Sequence, residues 1–79
     1  MKKLNIEYFA ILRERAGLGR ELVETDLATP AELFAELTRR HGFPEMATVK
    51  VAINDEFGDW HAELQDGDSI VFIPPVAGG

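Results

Sequence analysis

The chain has no cysteine, so neither a disulfide framework nor a thiolate metal site is available, and no side chain can serve as a sulfur nucleophile or persulfide carrier. Any sulfur chemistry has to be imported. It also lacks an apolar run near the roughly 20 residues needed to cross a bilayer, and "MKKLNIEYFA" alternates polar and apolar residues where a signal peptide would have an apolar core. The expected location is therefore cytoplasmic. Residues 51–79 contain no Lys or Arg and six Asp or Glu, whereas residues 1–20 carry five Lys or Arg and two Glu. With a net charge of −6 overall, this imbalance argues against nucleic acid as a partner and for a basic partner surface or a solvated acidic face. Seventy-nine residues allow one domain, and 46 % hydrophobic with 28 % charged residues is an ordinary globular composition.

Leu4, Ile6 and Tyr8 alternate with Asn5 and Glu7, the period of a strand with one buried face, and Phe9 interrupts the polar side. "AILRERAG" places Ile11, Leu12 and Ala16 at helical spacing and closes on Gly17. "RELVETDL" reads as an edge strand protected by its charges. Thr29-Pro30-Ala31-Glu32 supplies a capping threonine, a proline at the first helical position and a glutamate three residues after the cap, predicting a helix from Pro30 to His41 that stops at Gly42. "TVKVAI" and "SIVFI" read as strands, "WHAEL" as a short strand between them, and "NDEFGD" and "QDGD" as turns. This order predicts an α+β β-grasp, a mixed sheet of about five strands on one main helix, spanning residues 1–73. Residues 74–79 are expected to form an extended tail.

In "SIVFI" both faces are apolar, yet one helix covers only one face. If Ile70 and Phe72 face the helix, Val71 and Ile73 face away, together with Phe9 and with Phe57 in the intervening turn. These four would form an exposed apolar patch of the kind that marks a partner surface. Periodicity alone equally allows a bent strand that wraps them into one core. His41 is expected as a charge at the helix C-terminus and His61 as an exposed strand residue, since neither has metal-ligand spacing. Asp66-Gly67-Asp68 is a turn without the distal ligands of a calcium loop, and Gly17 and Gly19 follow a helix where a phosphate loop would open one.

Pro74 and Pro75 cannot donate ladder hydrogen bonds, so the sheet is expected to end there. The six residues "PPVAGG" (Pro74, Pro75, Val76, Ala77, Gly78, Gly79) could reach about 20 Å, and the two glycines leave the backbone unobstructed. "DGDSIVFIPPVAGG", with "FAILRERAG" and the capped helix, resembles the family of molybdopterin synthase small subunits, which are ubiquitin-like β-grasp sulfur carriers. The similarity covers essentially the whole chain.

That resemblance implies adenylation of the Gly79 carboxylate by an ATP-using, ubiquitin-activating-like enzyme, followed by thiocarboxylation from a separate sulfur donor protein. The loaded tail would thread into the synthase large subunit and give its sulfur to a cyclic pyranopterin precursor. Two loaded carriers would be needed per dithiolene, in a heterotetramer of two copies of each subunit. The resemblance also puts Phe9, Phe57 and Ile73 in the apolar contact with the large subunit and the activating enzyme. It implies no bound cofactor and no catalytic side chain on this chain. Related readings on the same features are a carrier for thiamine or cysteine biosynthesis, a ubiquitin-like modifier, and an interaction module without chemistry.

Overall fold

The computed structural model describes residues 1–45 and 48–75. Strand β1 (Lys2–Tyr8) leads into helix α1 (Ala10–Ala16), strand β2 (Arg20–Thr25), helix α2 (Pro30–His41) and strands β3 (Lys50–Ile53), β4 (Glu56–Phe57) and β5 (Ser69–Ile73). The sheet order is β2-β1-β5-β3-β4. The two central strands, β1 and β5, run parallel, and the other three pairings are antiparallel. This is the mixed sheet of a β-grasp, with β2 on an edge as its charge pattern predicts.

Alternation along each strand decides what is buried. Leu4, Ile6, Tyr8, Val23, Val51, Ile70 and Phe72 share the face covered by Leu33 and Leu37 of α2, with Leu12 of α1 closing one end. Helix α2 starts where its capping box sits: the Glu32 amide donates to Thr29 Oγ1, and Glu32 Oε1 accepts from the Thr29 amide. It ends at Gly42, whose φ of 71° is the left-handed region that a side chain would make costly.

Between β3 and β5 the chain departs from expectation at three points. "WHAEL" is not a strand: its alternation is real, with Leu64 fully buried, but its backbone bonds to the segment entering α2. The Leu64 amide donates to the Ala28 carbonyl at 2.7 Å, and the Trp60 carbonyl accepts from the Ala31 amide at 2.9 Å. The strand in this region is β4, so Phe57 is a strand residue and His61 lies exposed in a turn. Asn54 and Asp55, with φ of 51° and 72°, make the tight β3–β4 connection, the positive-φ pair that matches the twist of a two-residue hairpin.

His41 is also more than a helix-end charge. Its Nε2 lies 3.0 Å from Glu21 Oε1, which accepts a 2.7 Å bond from the Tyr8 hydroxyl, while Arg40 lies 3.7 Å from Glu21 Oε2. This cluster fastens edge strand β2 to the end of α2. Burial pushes the Glu21 carboxyl up, but the hydrogen bonds from Tyr8 and His41 and the charges of His41 and Arg40 outweigh it and hold the group below the ordinary glutamate range. Burial, with the bond to Glu21, pushes the Tyr8 hydroxyl well above the usual tyrosine range.

Because the folded-state value of Glu21 is depressed, its contribution to stability is fully present above the ordinary glutamate pKa and is lost as pH falls through the folded value. Stability curves taken between neutral and strongly acidic pH should therefore be flatter in the acid range for Glu21→Gln than for the unmodified chain. Parallel curves would show that Glu21 is not held in this way.

Candidate functional site: the outer sheet face and the tail

The residues left on the face away from α2 follow from the strand register. Glu7 pairs with Val71, Val71 with Ala52, and Ala52 with Phe57, giving one cross-strand row; Ile73 pairs with Lys50 in the next. Phe9 is the extended N-cap residue of α1 and follows directly on Tyr8, whose partner in the parallel register is Phe72, the neighbour of Ile73. Phe57 is 75 % exposed and Phe9 44 %, while Val71 and Ile73 are half-buried. Val71, Phe57 and Ile73 thus share the face away from α2, Phe9 lies exposed where β1 ends, and none of the four belongs to the core cluster.

Ala52 and Lys50 belong to the same surface and were not anticipated. Ala52 is small enough to leave Phe57 standing proud, and the Lys50 ammonium lies 5.7 Å from the centre of the Phe57 ring. Their outward placement needs the pairing of β3 with β5, which a four-residue strand does not announce.

This face adjoins the exit of the chain from the sheet. Ile73 ends β5, Pro74 is buried and Pro75 exposed, so packing extends one residue past the expected boundary at residue 73. Val76, Ala77, Gly78 and Gly79 lie outside the described residues. Among the described residues no group of three or more His, Asp or Glu side chains could hold a metal ion, and no helix is long and apolar enough to cross a membrane. The Asp66–Asp68 turn is occupied structurally: Asp66 Oδ1 accepts from the Lys3 amide at 2.7 Å, and Asp68 accepts from Asn54 Nδ2 and the Gln65 amide.

The ThiS family profile matches residues 6–79, from the second half of β1 through both helices and the other strands to the Pro-Pro-Val-Ala-Gly-Gly segment. The chain belongs to the ThiS family. Within it, the chain is 34 % identical over 80 residues to the molybdopterin synthase sulfur carrier subunit of Haemophilus influenzae, covering 96 % of this chain and 99 % of that one. Among solved structures, SAMP1 from Haloferax volcanii superposes with a TM-score of 0.79 at 25 % identity, covering 98 % of this chain and 99 % of that one. A chain in the complex of subunits 1 and 2 of molybdopterin-converting factor from Helicobacter pylori gives a TM-score of 0.68 at 28 % identity, over 98 % of this chain and 99 % of that chain.

Proposed function

We propose that this chain is the sulfur carrier subunit of a molybdopterin synthase, bearing sulfur as a thiocarboxylate on Gly79. The observation that supports the reading most is the placement, directly before the "PPVAGG" segment, of Ile73, Val71 and Phe57 on one open face with Phe9 exposed where β1 ends, in a chain that is similar over its whole length to a molybdopterin synthase sulfur carrier subunit. Docking through that face would leave the segment after Pro75 free to enter a partner's active site.

The chemistry is acyl substitution. A carboxylate is a poor electrophile because oxide is a poor leaving group, so an ATP-dependent activating enzyme first joins the Gly79 carboxylate to AMP and releases pyrophosphate. Sulfur delivered at the sulfide level by a separate donor protein attacks the acyl carbon, forming the C–S bond as AMP leaves, so that the terminus becomes a thiocarboxylate. In the large subunit the terminal sulfur attacks a carbon of the pyranopterin precursor and displaces an oxygen leaving group, joining the two through an acyl–sulfur bond; water then cleaves that bond, returning the Gly79 carboxylate and leaving the sulfur on the product. This chain contributes the docking surface and the sulfur, and it supplies no thiol of its own. Catalytic acids, bases and substrate contacts belong to the large subunit, and ATP to the activating enzyme.

Reconstitution tests this directly. With an activating enzyme, a sulfur source, the large subunit and precursor, the chain should support molybdopterin formation; failure with all components active would overturn the assignment. Phe9→Glu or Ile73→Glu should weaken large-subunit binding about tenfold or more while leaving the fold intact, because each puts a charge into a desolvated contact without touching the helix-facing core. Titration by calorimetry checks this, and unchanged affinity would remove these residues from the contact.

A further inference from the structure

Lys50 is the last cation in the chain, and every charged side chain after it is acidic. It lies beside Ile73 in the β3–β5 register, at the foot of the segment that begins with Pro74. Among the described residues no carboxylate lies within ion-pair distance of its ammonium, which is placed over the ring of Phe57, a residue that is itself 75 % exposed. Arg39 and Arg40 are paired with Glu36, and Arg40 also reaches Glu21, whereas Lys2, Lys3, Arg13, Arg15 and Arg20 likewise have no carboxylate within ion-pair distance among the described residues; what sets Lys50 apart is its place over Phe57 and beside Ile73. Lys50 is therefore a prepositioned positive charge at the rim of an apolar patch, in a region whose remaining charge is negative.

From this arrangement we infer that Lys50 is a specificity residue of the docking face, pairing with an acidic side chain of the large subunit at the rim of the contact. The inference rests on the carrier reading. The Phe57 ring attracts the Lys50 ammonium at 5.7 Å, so the charge is already held at the patch when the partner arrives. A chain with net charge −6 is drawn toward a basic surface by its overall field. A single cation that demands a local acid within that surface fixes rotation about the docking axis, and hence the direction in which the segment after Pro75 points. Charges at an interface rim act in this way, on orientation and association rate more than on total affinity.

Overall steering and local pairing predict opposite signs for one substitution. Lys50→Glu makes an acidic chain more acidic: if only the overall field mattered, association with a basic partner would speed up. If Lys50 meets an acid, association slows and the complex dissociates faster. The measurement is stopped-flow association of the full-length chain with the molybdopterin synthase large subunit of the same organism, at low and high salt. Lys50→Met, which retains an apolar stem over Phe57, and Arg39→Glu, on the opposite side of the molecule, serve as comparisons.

Lys50→Glu should associate about two- to fivefold more slowly than the unmodified chain at low salt, with the difference shrinking at high salt. Lys50→Met should fall between them, and Arg39→Glu should be unchanged or faster. Equal or faster association of Lys50→Glu, while Ile73→Glu still weakens the complex, would overturn the role of Lys50 and leave the carrier reading standing. Absence of any complex with the unmodified chain would overturn both.

Discussion

A chain lacking Gly79 should fold, melt and dock like the full-length protein and make no molybdopterin. Removing one residue withdraws the terminal carboxylate by about 3.3 Å, a displacement comparable with the whole separation of reacting atoms in a productive complex. Adding one residue moves it by as much in the other direction and puts a different carboxylate at the terminus, so both variants should fail at the activation step. Neither touches a core residue, since every member of the buried cluster precedes Pro74. The checks are ATP–pyrophosphate exchange with the activating enzyme, product formation with the large subunit and precursor, and thermal melting. Normal product from either variant would mean that sulfur is not attached at Gly79. Loss of melting temperature would mean that the segment is structural.

Phe72→Ala should act in the opposite sense, through stability and not through chemistry. The Phe72 side chain is fully buried, with its ring centre 4.8 Å from that of Phe34 and 5.8 Å from that of Trp60, and β5 pairs with a neighbour on each side. Truncation removes the transfer free energy of the ring and leaves a cavity among β1, β3, α2 and Trp60 that these elements cannot close without shifting together. The expected cost is about 3–5 kcal/mol, and in a domain of this size each kcal/mol lowers the melting temperature by about 4–8 °C. Denaturant melts of the two chains measure it, and equal midpoints would reverse the assignment of faces on β5. Ile73 on the opposite face should tolerate the same truncation far better, because it is only partly buried and lies outside the core cluster.

The contrast between Phe72 and Ile73 was one of two readings the sequence allowed, because strand alternation is a local property and a bend is not: with β5 unbent, Ile70 and Phe72 face the helix and Val71 and Ile73 face away. Helix α2 was readable for a similar reason, since Thr29, Pro30 and Glu32 specify its start and Gly42 its end within a turn of the chain. Trp60 to Leu64 show where local pattern fails. Their alternation fits a strand, but the partner for their backbone is the segment around Ala28 and Ala31, some thirty residues away in sequence. Phe57 and Lys50 illustrate the same limit on the functional face. A two-residue strand has no period to detect, and the lysine meets the aromatic ring only after the Asn54–Asp55 turn has set the β3–β4 register. The Tyr8–Glu21–His41 cluster was hidden because it joins three elements through side chains whose local patterns gave other, sufficient reasons for each to be where it is.

The most direct test of the sulfur-carrier account is the intact mass of the protein purified from its own cells during active molybdenum cofactor synthesis. The account predicts a species heavier by the replacement of one oxygen with one sulfur, with fragmentation placing that replacement on Gly79, and its conversion to the carboxylate form when large subunit and precursor are added. A carboxylate terminus in every molecule under those conditions, or sulfur located anywhere else in the chain, would contradict it.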